Sequence, residues 1–135
     1  MDLKKLDELV AADEEGAVVI IYQRNGDPYL AADGSESTMT VLGSESKKYK
    51  AAKRNTTKRM LNRRRTMLEP EDIERNRINQ AVAGVVDWHG WDDGKKDLAC
   101  TPENVAKVLK HDHILEQVEA AIMGHADFFT QNSAA

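Results

Sequence analysis

The apolar residues of the N-terminal third change their spacing along the chain. A helix over residues 2–12 is predicted by four apolar residues at helical spacing, Leu3, Leu6, Leu9 and Val10. Residues 17–22 are continuously apolar and rich in β-branched side chains, so they predict a strand that is buried on both faces. The pattern therefore changes from helix to strand before residue 23.

Two glycine turns follow this strand. Asn25-Gly26 and Asp33-Gly34 are strong turn signals because glycine, asparagine and aspartate tolerate positive φ. We expect residues 28–30 to form a short return strand and residues 37–42 a further strand. The result is a two- or three-stranded antiparallel meander, which is marginal unless helices pack on it.

Helical spacing returns after residue 43. Ser44 or Ser46 can cap a helix that runs to about Met67 and has few apolar positions. The next helix starts at Pro70 and is expected to end near Asp87; its apolar stripe comprises Ile73, Ile78, Ala81, Val82, Val85 and Val86. Residues 88–94 are predicted to form a turn-rich loop that carries both tryptophans.

Two shorter helices complete the pattern. Thr101-Pro102 is a helix start, with threonine as the cap and proline in the first turn. A second helix is expected after His113 and is interrupted at Gly124. Phe128 and Phe129 are expected to close the ordered part of the chain.

These elements predict an α+β fold, in which a small N-terminal antiparallel β-meander is followed by a long basic helix and a C-terminal helical bundle. The expected boundaries are 1–45 for the N-terminal helix plus meander, 46–68 for the basic helix, 69–130 for the helical part and 131–135 for a polar tail.

Composition indicates what kind of core the protein has and in which compartment we expect it. The chain is 41% apolar but only 5% aromatic, so its core must be mostly aliphatic. No apolar run approaches the roughly 20 residues that a membrane span needs. The N-terminus lacks the apolar region of a signal peptide, and the single Cys100 cannot form an internal disulfide. We therefore expect an intracellular protein without a membrane segment.

The charges are strongly segregated. Between Lys47 and Arg65 there are ten lysines and arginines and no acidic residue. The rest of the chain carries nine basic residues against all 23 acidic ones, a net charge of −14. Such a block of one sign is typical of an interaction surface.

The search for catalytic and metal-binding patterns finds only weak candidates. His111 and His113 are two residues apart and would point in different directions on a helix, whereas a helical metal site needs i, i+4 spacing. Cys100 precedes a helix start, where a thiol can be acidified, but without a histidine partner a small buried cysteine is the favoured interpretation. Asp87, Asp92 and Asp93 around the tryptophans could line a sugar cleft, whereas Asp92-Asp93-Gly94 is equally an ordinary turn. We therefore predict no catalytic residue, metal or cofactor.

The basic helix has three interpretations: a nucleic-acid interface, a contact for an acidic protein, or a solvated face. The −14 remainder and the lack of interleaved aromatic residues disfavour nucleic acid. Each tryptophan can be explained by core packing or by an interface hot spot. The predicted partner-binding residues are Lys53, Arg54, Lys58, Arg59, Arg63, Arg64, Arg65, Trp88 and Trp91.

One stretch resembles a known family. Residues 86–94, Val-Asp-Trp-His-Gly-Trp-Asp-Asp-Gly, and 100–105, Cys-Thr-Pro-Glu-Asn-Val, are similar to a pattern in small tail proteins of tailed bacteriophages, often described as tail assembly chaperones. The Asp33-Gly34 strand and the entry at 46–49 into an arginine-rich helix also resemble them. The resemblance covers about residues 17–129.

The resemblance implies a non-enzymatic role in phage tail morphogenesis, in the host cytoplasm. Tail assembly chaperones bind the tape-measure protein and keep it soluble until tube protein polymerises around it. The implied partners are tape-measure, tube or baseplate subunits, with the chain oligomeric in assembly. One alternative is a structural subunit retained in the virion tail or baseplate, and a second is a nucleic-acid-binding phage regulator.

Overall fold

A computed structural model describes residues 2–62 and 69–125. Within these ranges the chain forms five helices and one three-stranded antiparallel sheet, which confirms the predicted α+β class. The elements in chain order are α1 (Leu3–Ala12), β1 (Ala17–Ile20), β2 (Thr38–Val41), α2 (Lys47–Asn62), α3 (Pro70–Gly84), β3 (Val85–His89), α4 (Pro102–Leu109) and α5 (Asp112–Met123).

The third strand of the sheet does not come from the N-terminal segment. Strand β2 lies in the centre, and its partners are β1 on one side and β3 on the other. Ala17 opposes Val41 in the first pair, and Thr38 opposes His89 in the second. The sheet therefore joins the part of the chain before the basic helix to the part after it.

The prediction of a helix to Asp87 followed by a loop is wrong. Helix α3 ends at Gly84 and passes directly into β3, which includes Val85, Val86 and Trp88. Two adjacent valines fit a helical stripe and a strand equally well, and glycine ends helices readily. Pairing decides between the two, because β3 covers an edge of β2 that would otherwise be open.

Residues 28–30 form isolated bridges instead of a sheet strand. Pro28 pairs only with Tyr22, and Leu30 only with Glu36. Proline supplies no backbone N–H, which limits the ladder it can join. The turns at Gly26 and Gly34 are present, with φ of 93° and 88°.

One face of the sheet packs on the helices. Val19, Met39, Val41 and Val85 belong to a buried cluster with the apolar residues of α4 and α5. The opposite face is open: Val18 is 51% and Ile20 38% exposed, so the prediction that β1 is buried on both faces is wrong. Buried and exposed residues alternate along β1, which is the pattern of a strand with one buried face.

Helix starts follow the sequence closely. The hydroxyl of Ser46 accepts the backbone N–H of Tyr49, and that of Thr101 accepts the N–H of Asn104. Glu69 and Asp72 form a capping box before α3. Helix α5 ends at Met123 with Gly124 as its cap. The predicted end of the basic helix at Met67, Phe128 and Phe129, and the tail at 131–135 lie outside the described residues.

Candidate protein-binding surface

Helix α2 presents a basic face to solvent and a narrow inner face to the protein. Within Lys47–Asn62 only Tyr49 and Thr56 are buried, two turns apart on the same side of the helix. All lysines and arginines within Lys47–Asn62 are exposed. We call the exposed side chains of Lys53, Arg54, Lys58 and Arg59 the basic surface.

The inner face of α2 is fixed by aromatic packing. Tyr49 lies in the hydrophobic core cluster with Val85 and Ile122. Burial, and then the negative charge of Glu119, raise the pKa of the Tyr49 phenol above its ordinary value. Glu119 itself forms an ion pair with Arg77 of α3, at 2.5 Å. The helix is therefore held by a narrow face that includes Tyr49 and Thr56, while its cations are exposed.

The start of α2 is held by acids from elsewhere in the chain. A carboxylate oxygen of Asp13 accepts the backbone N–H of Glu45 at 2.8 Å, and one of Glu14 accepts the N–H of Lys47 at 2.7 Å. No acidic residue lies in the first turn of α2 itself. Asp13 and Glu14 thus supply the negative charge that favours a helix N-terminus.

The basic surface borders a groove of about 770 Å³ between α2 and the end of α5. Its lining includes Lys53, Arg54 and Lys58, together with Tyr49, Thr57 and Met123. Met123 is 64% exposed, so the groove offers an apolar contact among cations. Lys50, which also lines it, is paired with Glu45 at 2.5 Å.

The cations of the basic surface are available to a partner. No ion pair within 4 Å joins Lys53, Arg54, Lys58 or Arg59 to any residue in the ranges 2–62 and 69–125. The predicted residues Arg63, Arg64 and Arg65 lie outside those ranges. Four like charges within two turns of one helix repel each other, and an acidic ligand would relieve that repulsion.

The two tryptophans lie elsewhere and pack within the protein. The indole N–H of Trp88 donates to the carbonyl of Leu98 at 2.9 Å, and that of Trp91 donates to the carbonyl of Thr38 at 3.0 Å. Their rings lie 6.0 Å apart, and Trp91 lies 5.8 Å from Tyr29. Both indoles are half-buried against the core. They lie beside the first residues of β2, whereas α2 begins after the last residues of β2.

The weaker chemical candidates have ordinary structural roles. Burial, and then the charge of Asp87, raise the pKa of the Cys100 thiol, which disfavours the reactive thiolate. Asp92 accepts the backbone N–H of Gly94 at 2.8 Å, as in a turn. Asp93 accepts two backbone N–H groups, which lower the pKa of its carboxyl.

The histidines form no recognisable metal site. His111 occupies the cap position of α5 without a capping side-chain bond, and the Nε2 atom of His113 lies 2.5 Å from the hydroxyl of Tyr29. In the described part of the chain, no group of three or more His, Cys, Asp or Glu side chains could hold a metal ion.

Sequence reasoning missed two side chains that tie distant segments together. Both amide atoms of Gln117 bond the backbone of Tyr22, each at 2.8 Å. The buried His125 contacts the carbonyl of Glu15 at 2.5 Å. Neither has a local signal, because each partner is about a hundred residues away in sequence.

A search for membrane-spanning helices and three comparisons with known proteins complete the description. Across residues 2–62 and 69–125, no helix combines the length and apolarity needed to cross a membrane. No protein-family model, curated protein or solved structure matches the chain.

Proposed function

We propose that the chain works by binding another protein, without catalysis, through the basic surface of α2. The observation that carries the proposal is the set of exposed cations without partners in the described residues, beside a groove with an apolar contact. An acidic segment with one or two apolar side chains would satisfy both features, its carboxylates on the cations and its apolar groups against Met123.

An acidic protein fits this surface better than a nucleic acid. The chain outside Lys47–Arg65 has a net charge of −14, which repels a polyanion that extends beyond the helix. The aromatic residue of α2, Tyr49, is buried, so it cannot stack on a base.

For the biological role we propose phage tail morphogenesis, with the tape-measure protein as the bound partner and the host cytoplasm as the place of binding. The support is the resemblance of residues 86–94 and 100–105 to tail assembly proteins, together with a surface suited to protein contact. Retention as a subunit of the virion tail or baseplate is the alternative.

The test is co-expression with a neighbouring gene product. We expect a gene for a very long, coiled-coil-rich protein beside the gene for this chain, and we expect its product to stay soluble only when this chain is present. The variant Lys53→Glu/Arg54→Glu/Lys58→Glu should lose this effect. The control Lys95→Glu/Lys96→Glu, which reverses two charges on an exposed loop far along the chain, should keep it.

Three measurements separate the alternatives. Mass spectrometry of purified virions should detect no chain if it is a chaperone, and stoichiometric copies if it is a tail subunit. Unchanged solubility with the triple variant would contradict the proposed surface. Sub-micromolar binding to duplex DNA at physiological salt, lost steeply as salt rises, would replace the proposal with the nucleic-acid alternative.

A further inference from the structure

Helix α1 carries an apolar stripe that the described part of the chain leaves exposed. None of its ten residues is buried. Leu3 is 71% and Leu9 54% exposed, and Leu6 and Val10 are exposed as well. Short helices gain most of their stability by burying such a stripe against another element. The stripe therefore has the character of a contact surface.

The spacing of the stripe is that of helices that pack in pairs. Leu3, Leu6 and Val10 follow one another at intervals of three and four residues, and Leu9 extends the stripe on one side. At about 100° per residue, the four side chains cover about a third of the helix circumference. A stripe of this width can be covered by one other helix.

The two borders of the stripe carry opposite charges. Asp7 lies beside Leu3 at one border, and Lys5 lies beside Leu9 at the other, since residues four apart share a helix face. Both charged side chains are exposed. No ion pair within 4 Å joins either of them to a residue in the ranges 2–62 and 69–125. A partner helix with the opposite charge at each border would satisfy both.

We propose that α1 packs against α1 of a second copy, with both helices running in the same direction, so that the chain forms a symmetric dimer. In a parallel two-fold pair, the border with Asp7 in one copy faces the border with Lys5 in the other. Two such ion pairs then flank the joined stripes. In an antiparallel pair each border would face the same border of the other copy and bring like charges together. The charges therefore favour the parallel orientation.

A membrane surface fits the stripe less well than a second copy. With its cap residue Asp2, α1 has three acidic side chains against two lysines. Amphipathic helices that lie on anionic membranes are rich in lysine and arginine instead. The dimer also does not require the acidic partner proposed for the basic surface of α2, because the two surfaces lie on different helices.

The size of α1 limits the strength of the dimer. Ten helical residues span about 15 Å, so two such helices bury less than the roughly 1,600 Å² of a standard interface. We therefore expect a reversible dimer that dissociates on dilution.

Sedimentation velocity of the full chain over a range of concentrations tests the dimer. Leu6→Ala should raise the dissociation constant at least about tenfold, because each dimer loses two leucines from the middle of the interface. Lys4→Ala, on the opposite side of α1, is the control and should leave the constant unchanged. Circular dichroism checks that both variants stay folded. A chain that stays monomeric at its highest soluble concentration would overturn the proposal, and so would a dimer that Leu6→Ala does not weaken.

Charge reversal tests the borders. Lys5→Asp alone and Asp7→Lys alone should each weaken the dimer, because like charges then meet at both borders. An equimolar mixture of the two variants should dimerise again, since position 5 of each chain faces an opposite charge at position 7 of the other. A folding defect cannot produce this rescue. If the mixture stays monomeric while the unchanged chain dimerises, the proposed ion pairs are wrong.

A disulfide tests the direction of the helices. In a Cys100→Ser background, Leu3→Cys should cross-link two copies under mild oxidation, because equivalent residues of parallel helices lie side by side. In an antiparallel pair the two positions would lie at opposite ends of the interface. A dimer that persists without this cross-link would overturn the parallel arrangement. Binding of the chain to anionic vesicles that Leu6→Ala abolishes would instead assign the stripe to a membrane surface and overturn the proposal.

Discussion

Helix α5 buries five of its twelve residues, whereas helix α2 buries two of its sixteen. Leu115 and Val118 of α5 are fully enclosed, and the neighbouring α4 and sheet pack on the same side. The basic surface of α2, formed by Lys53, Arg54, Lys58 and Arg59, has no ion-pair partner among the described residues. The difference separates residues that stabilise the fold from residues that are available for binding. Helix α5 contributes mainly to the core, whereas most of α2 is a surface that does not contribute to the core.

The largest expected effect is on the α5 side of this comparison. Leu115→Ala should lower the free energy of unfolding by about 2–5 kcal/mol, because it leaves a cavity in a fully buried site. Urea denaturation followed by circular dichroism measures the change. Glu116→Ala, on the exposed side of the same helix, is the control and should change it by less than about 0.5 kcal/mol. Equal losses in both would show that α5 is not the core helix described here.

A smaller effect is expected at the link between Gln117 of α5 and the backbone of Tyr22, just after β1. Gln117→Ala removes the partners of the N–H and carbonyl of Tyr22 and should cost about 1–3 kcal/mol. The amide of Tyr22 should exchange faster than in the unchanged chain. Gln117→Glu keeps the accepting oxygen and loses the donor, so it should lie between the two. If both variants exchange as the parent does, the link is not formed in solution.

The α2 side should respond in binding and hardly at all in stability. Exposed charges contribute under about 1 kcal/mol each to folding, and reversal also relieves repulsion along α2. Lys53→Glu/Arg54→Glu/Lys58→Glu should therefore shift the thermal midpoint far less than Leu115→Ala. Differential scanning calorimetry of the two variants makes the comparison. A large loss for the triple variant would place these side chains inside the folded structure.

The smallest effect concerns a turn outside both helices. The hydroxyl and then the backbone N–H of Ser35 lower the pKa of the Asp33 carboxyl below its ordinary 3.8. Its stabilising contribution is thus complete above the unfolded value and is lost as pH falls through the lower folded value. Ser35→Ala should raise the pKa of Asp33 towards the ordinary value, as measured by NMR titration. Asp93, which is held by different backbone groups, should titrate as before.

Local signals in the sequence predicted the helices well. Capping residues such as Ser46 and Thr101 are recognisable because their partners lie within three residues. The strand at Val85–His89 was not predicted, because its identity depends on pairing with residues 38–41. Short apolar runs fit either structure until their neighbours are known.

The candidate surface could be predicted in part. The run of cations on α2 is visible in the sequence, and the structure leaves Lys53, Arg54, Lys58 and Arg59 exposed. The packing of Trp88 and Trp91 could not be predicted, since both indoles bond carbonyls brought near by the fold. The groove also escapes sequence reasoning, because Met123 reaches it from the end of α5.

The pairing of Thr38 with His89 has a consequence for how the chain matures. During synthesis β1 and β2 emerge first. One edge of β2 then has no partner strand until the residues of β3 have left the ribosome. Closing so long a loop is slow unless the intervening helices form early. Conditions that destabilise α2 or α3 would prolong that interval. They should therefore cause aggregation of the nascent chain under milder treatment than is needed to unfold the folded protein.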